Sequence, residues 1–199
     1  MQYRKEIKKR RVTQRILILC EGKTEKLYLT SLKSTLSRDI QRDVSIEILQ
    51  AKKSEPMNTL REIKQKRSVA KSEKQPYKEL WMVFDDDNRE LKELFPDLAS
   101  ENIFVAYSSI SIEFWFILHF KQTKRHYSNP EALLQLLQFK PDYKKTSPNL
   151  WLEFEPHYQK SLKHARWLRK QYENIDANNL ANCKPFTNMD ELVERIKKL

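Results

Sequence analysis

One glycine, Gly22, serves all 199 residues of this chain, where average usage of about 7% would supply roughly 14. That scarcity excludes the Walker-type phosphate loop, whose backbone needs several positions free of a Cβ. It also singles out one turn. Gly22 stands between an apolar run at residues 16–20 and a segment of helical periodicity. A residue that allows positive φ and close backbone approach marks a constrained strand-to-helix turn there.

The same rhythm recurs downstream. Ile16, Leu17, Ile18 and Leu19 form a continuous apolar run flanked by charge, as suits a strand buried on both faces of a parallel sheet. Thr24 is placed to cap a helix in which Leu27, Tyr28 and Leu32 recur at helical spacing. Val44, Ile46 and Ile48 alternate with polar residues as in a half-exposed strand, and Pro56 opens a helix carrying Leu60 and Ile63. Residues 80–84 predict a strand that ends in Asp85-Asp86-Asp87-Asn88, followed by a short helix with Leu91, Leu94 and Phe95. Residues 103–107 predict another strand, and Ser111 is placed to cap an apolar helix over residues 112–120. Strands separated by helices imply parallel pairing with right-handed crossovers. Beyond residue 122 the strand signals stop, and helices are expected around residues 131–138, 157–173 and 188–199. The expected organisation is a basic arm (residues 1–14), an α/β core (15–122) and a helical C-terminal extension (123–199).

Charge points to a class of partner. Lys plus Arg number 38 against 27 acidic residues, a net charge of +11, which favours a polyanion, with nucleic acid ahead of anionic membrane. Arg10 and Arg11 belong to a basic arm that binds phosphates by counterion release. Lys163, Arg166 and Lys170 share one face of a helix whose inward stripe is Tyr158, Leu162, Ala165, Leu168 and Tyr172. The longest apolar runs are five residues, residues 16–20 and 114–118, against about 18 for a spanning helix, so no membrane span and a cytoplasmic location are expected. Cys20 and Cys183 fit neither a disulfide framework nor a zinc pattern. His119, among Phe116, Leu118 and Phe120, reads as a hydrogen-bonded core histidine.

Acidic residues fall where such a fold places ligands. In an open parallel sheet, ligands gather beyond the carboxyl ends of the strands. Glu21 ends the first strand and Asp85 a later one. Neighbouring strands lie about 4.8 Å apart, so carboxylates at both ends can share one cation. Alternation along an extended segment turns Asp85 and Asp87 one way and Asp86 the other. Mg²⁺ suits oxygen ligands held by one or two carboxylates plus a substrate phosphate, with Mn²⁺ as an alternative. Glu25 lies four residues after Glu21, in a first helical turn that favours negative charge, and Glu113 occupies the first turn of a later helix near the same sheet edge.

Leu19-Cys20-Glu21-Gly22-Lys23-Thr24-Glu25, followed by Val83-Phe84-Asp85-Asp86-Asp87, resembles the TOPRIM fold and in particular its RloB-like branch. Glu113-Phe114-Trp115 leading to Leu118-His119-Phe120 is similar to that branch's Phe-Glu-x-Trp-x-Leu-x-His-Phe segment, with Ile112 in place of its first Phe. Asp142-Tyr143-Lys144 and Pro185-Phe186-Thr187 with Leu192-Val193 are similar to its tail, so the resemblance covers residues 16–199. It implies a TOPRIM-like core and a metal-dependent nuclease. By resemblance, Glu21 assists as metal ligand or general acid/base, Asp85 and Asp87 bind metal, Glu25 and Glu113 stand at or beside the site, and Lys144 occupies a family-like position able to stabilise developing negative charge. The same resemblance implies a bacterial anti-phage effector acting on DNA or RNA and controlled by an ABC-type ATPase. A non-catalytic nucleic-acid-binding or regulatory subunit is the competing reading, and a homodimer accords with base rates for soluble proteins.

Overall fold

A computed structural model describes residues 14–86 and 91–199, so Arg10, Arg11 and Asp87 lie outside the described residues. Four strands carry the fold: β1 (Gln14–Cys20), β2 (Val44–Gln50), β3 (Glu79–Asp85) and β4 (Phe104–Ser108). They form one all-parallel sheet in the order β2-β1-β3-β4. Helices α1 (Lys23–Ser34), α2 (Arg38–Asp43), α3 (Pro56–Ser72), α4 (Leu94–Ser100) and α5 (Ile112–Ile117) lie between or just after the strands. Helices α6 (Asn129–Phe139), α7 (Leu150–Phe154), α8 (Tyr158–Arg169) and α9 (Met189–Lys197) follow. The α/β class with a parallel sheet flanked by helices is as expected, and it is consistent with a TOPRIM-like core.

Strand alternation sorts the core into two clusters. Ile16, Ile18, Trp81, Val83 and Ala106 face one side, where α1 and α5 to α9 supply Tyr28, Trp115, Leu136, Trp151, Leu162 and Leu192. Leu17, Leu19, Leu80, Met82 and Phe84 face the other, packed on Leu60 and Ile63 of α3 and Leu94, Phe95 and Leu98 of α4. Both faces are covered, which explains why β1 reads as an uninterrupted apolar run. Among the described residues, no helix is long and apolar enough to cross a membrane.

Helices α6 to α9 are built into the first of these clusters, while Cys183 and Phe186 join the second. A bidentate pair joins α8 to α9, with Arg169 donating to fully buried Asp190 at 2.6 and 2.7 Å. The segment before α9 closes the outer edge of β4. The Tyr107 amide donates to the Asn188 side-chain carbonyl at 2.8 Å, and the Asn188 side-chain amide donates to the Val105 carbonyl at 2.9 Å. A side chain thereby satisfies edge groups that would otherwise template pairing with another strand.

Local differences from expectation have local causes. α1 begins at Lys23 with Gly22 as its N-cap, two residues before the expected cap at Thr24. α5 stops at Ile117 because the amides of His119 and Phe120 bond three residues back, to Phe116 and Ile117, which tightens the last turn. α2 buries no residue and so carries no apolar periodicity to reveal it.

His119 is a core residue. It is fully buried, its Nδ1–H donates to the Trp115 carbonyl at 3.1 Å, and its Nε2 has no hydrogen-bond partner among the described residues. Burial pushes its pKa down from 6.5 to about 3, so the ring stays neutral in the folded protein. The unfolded chain binds a proton between those two values and the folded chain does not. The stabilisation is therefore complete above pH 6.5 and is lost as pH falls toward 3, with a slope of about 1.4 kcal/mol per pH unit. Urea unfolding between pH 7 and 4.5 should show that slope, and His119→Gln should remove it; an unchanged slope in the variant would show that another group titrates.

Candidate metal and nucleic-acid site

The sheet register sets the site. Cys20 lies opposite Val83 across β1 and β3, and the Glu21 amide continues the ladder by donating to the Val83 carbonyl at 2.8 Å. Asp85 closes β3 opposite Ser108 of β4. Alternation along β3 puts Trp81, Val83 and Asp85 on the α1/α5 face. Asp86 turns to the opposite face, where it is fully buried and pairs with Lys184 at 2.5 Å. Asp85 is thus aimed at the starts of α1 and α5, while Asp86 serves as an internal ion-pair partner.

The turn after β1 brings Glu25 over the strand ends. Gly22 is extended, with φ −102° and ψ 165°, so positive φ is not what requires glycine here. Space is. A Cβ at Gly22 would overlap the Glu25 carboxylate, which folds back over it. Glu25 is 5% exposed, and its Oε2 accepts no hydrogen bond among the described residues. Burial raises its pKa, a hydrogen bond from its own backbone and one with Asp85 oppose that rise, and the charges on Glu113 and Glu21 add to it. Two carboxyl groups can meet as hydrogen-bond partners only by sharing a proton, and a cation placed between them would relieve the same repulsion.

Glu113, in the first turn of α5, is 2% exposed. The Tyr143 hydroxyl donates to its Oε1 at 3.0 Å, and Lys145 Nζ stands 2.8 Å from the same oxygen. Burial alone would raise the Glu113 pKa, but the Lys145 hydrogen bond and charge overcome it and hold the carboxyl below its ordinary range. Lys145 in turn loses by burial and gains from Glu113, then from Asp85 and Glu25, so its pKa is raised. Glu21, Glu25, Asp85 and Glu113 therefore share one electrostatic field with the half-exposed ammonium of Lys145 at its rim.

Sequence reasoning missed Tyr143 and Lys145. It favoured Lys144, which is exposed, whereas Tyr143 and Lys145, two residues apart, both reach Glu113. The conspicuous signal was a tyrosine between basic and acidic neighbours, a residue type that brings both an apolar body and a donor. Lys163, Arg166 and Lys170 are exposed around a depression of about 470 Å³ on α8 that Trp167 also lines, and Arg166 pairs with Glu194 at 2.7 Å.

The donor set suits a hard divalent cation. Among the described residues, no three His, Cys, Asp or Glu side chains are grouped so as to hold a metal by themselves. Mg²⁺ asks less than that, since one or two carboxylates and a substrate phosphate suffice, with water completing the octahedron. The buried, unbonded Glu25 Oε2 and the Glu25–Asp85 contact fit such an ion.

An all-parallel α/β sheet with acidic side chains gathered where β1 and β3 end is consistent with a TOPRIM-like core. The chain belongs to the RloB-like family: the family model described as RloB-like protein matches residues 16–196. No curated protein and no solved structure matches it.

Proposed function

We propose that this protein is a metal-dependent nuclease that hydrolyses phosphodiester bonds of DNA or RNA, acting in the cytoplasm as the effector of a bacterial anti-phage system under an ABC-type ATPase. The observation that carries this reading is the gathering of buried Glu21, Glu25 and Glu113 about the carboxyl ends of β1 and β3, where Asp85 closes β3. Buried carboxylates that repel one another keep their charge only when a cation is supplied.

Asp85 and Glu25, together with Asp87, would hold Mg²⁺ or Mn²⁺. When bound, the ion lowers the pKa of a coordinated water and neutralises the scissile phosphate. Glu21, which directly follows β1, would accept the proton released by the attacking water. Lys145 offers positive charge to the phosphate oxygens, where an oriented cation stabilises the charge that develops. Glu113 and Tyr143 hold that ammonium in position.

The test is cleavage of DNA and RNA panels with Mg²⁺, Mn²⁺ or EDTA, with and without the ATPase partner, for wild type, Glu21→Ala and Asp85→Ala. Activity that survives both substitutions would remove the assignment. Persistent binding with no cleavage, even with the ATPase, would favour the regulatory subunit. Gly22→Ala gives a steric check. Its backbone angles are open to alanine, so the fold should persist, but the displaced Glu25 carboxylate should lower cleavage by about 10²-fold. Unaltered cleavage beside an unaltered melting curve would mean that Glu25 can stand elsewhere without loss.

A further inference from the structure

The sheet edge that carries the carboxylates also carries a basic notch one strand away. β2 and β1 are parallel and in register through Cys20 and Gln50, and the Ala51 amide donates to the Cys20 carbonyl at 2.7 Å. The connection from β2 to α3 therefore leaves the sheet beside Glu21, on the same carboxyl edge. After Ala51 it carries Lys52 and Lys53, both exposed. From β3, which bears Asp85, to β2 is two strand spacings, about 9.6 Å.

This connection is held in place. Ala51 and Pro56 are buried at its two ends, and the Lys52 amide donates to Glu62 Oε2 of α3 at 3.0 Å. A depression of about 230 Å³ results, lined by Lys52, Lys53, Asn58, Arg61, Glu62 and Gln65. Its nearest acids are occupied: Glu62 accepts from the loop amide, and Glu55 is engaged by the Asn58 side chain. Among the described residues, Lys52 and Lys53 form no ion pair, and Arg61 donates to the Asn58 side-chain carbonyl at 3.1 Å. Three cations ring a small hollow in which the one lining carboxylate is turned to the backbone, an arrangement complementary to an anion.

We propose that Lys52, Lys53 and Arg61 grip the nucleic-acid backbone at phosphates beside the scissile one, so that the strand runs across the sheet edge from the β2 side toward Asp85. This rests on the nuclease reading and adds a substrate track to it. Contacts of this kind position the substrate and carry no base preference.

The experiment measures binding of labelled oligonucleotides, single- and double-stranded, to the full chain carrying Asp85→Asn, in EDTA, so that cutting is suppressed. Affinity is followed against salt for that protein and for a version that also carries Lys52→Ala and Lys53→Ala. Loss of two phosphate contacts should reduce the slope of log affinity against log salt by about 1.4 to 1.8. Binding should weaken alike for every sequence, and Lys52→Arg with Lys53→Arg should restore the slope. Lys71→Ala with Lys74→Ala, at the far end of α3, should leave it unchanged. A slope that does not change on Lys52 and Lys53 replacement, while wild type still cleaves, overturns the notch alone. An equal loss from Lys71 and Lys74 replacement also overturns it, because net charge would then be the cause. No binding of any polynucleotide by the Asp85→Asn protein, with no cleavage by wild type, overturns both readings.

Discussion

Asp85→Asn is expected to lower phosphodiester cleavage by about 10²- to 10³-fold, the equivalent of several kcal/mol of charge stabilisation by the bound ion, and at the same time to leave the fold as stable or more so. The two halves have one cause. Asp85 ends β3 beside Glu25, which also feels Glu21 and Glu113, so the metal-free protein holds mutually repelling carboxylates in a low-dielectric setting. Asparagine deletes a ligand, and its side-chain amide donates to Glu25 without the proton that two carboxyl groups must share. A residue kept for structure would behave in the opposite way and lower the melting temperature on removal. Single-turnover cleavage and a thermal melt on one preparation decide the matter. Cleavage within a few-fold of wild type would place the reacting centre elsewhere, and a lower melting temperature would give Asp85 a structural role.

Trp115→Ala is expected to cost about 3–5 kcal/mol, a large part of the roughly 5–15 kcal/mol that holds a domain folded. Trp115 is fully buried, and its indole N–H donates to the Tyr28 hydroxyl at 3.0 Å. Its ring meets His119 edge-on at 4.7 Å. Alanine there leaves a cavity between α5 and α1 and strips a buried hydroxyl of its partner, which adds about 1–3 kcal/mol. Trp115→Phe fills most of the volume and should lose chiefly the hydrogen bond. Urea midpoints for the two variants measure the difference, and an alanine variant within about 1 kcal/mol of wild type would mean that the cluster collapses around the gap. The consequence reaches the site, because α5 also carries Glu113.

What could be read without coordinates follows from how strongly each feature is written into local pattern. The strands were legible because burial on both faces demands uninterrupted apolar runs such as residues 16–20, bounded by charge. The opposed directions of Asp85 and Asp86 were legible because strand alternation has a period of two. α7 was not: Leu150, Trp151 and Phe154 occupy a five-residue helix too short to display a period. Lys145 was hidden because two adjacent lysines look alike in a loop, and only the burial of Tyr143 decides which one points at Glu113. The reason for Gly22 was half legible. A constrained turn could be inferred, but the Glu25 carboxylate that occupies the space of the missing Cβ lies three residues on and depends on the helix start.

The Asn188 clasp on β4 also orders assembly in time. Translation makes the four strands by residue 108 and reaches residue 188 only after eighty more, so a growing polypeptide carries β4 with its outer flank unprotected throughout that interval. Tyr143 and Lys145 arrive in the same interval. The acids of the sheet thus acquire their counter-charge and their closing latch late in synthesis, and a half-made chain presents neither a finished centre nor a sealed margin.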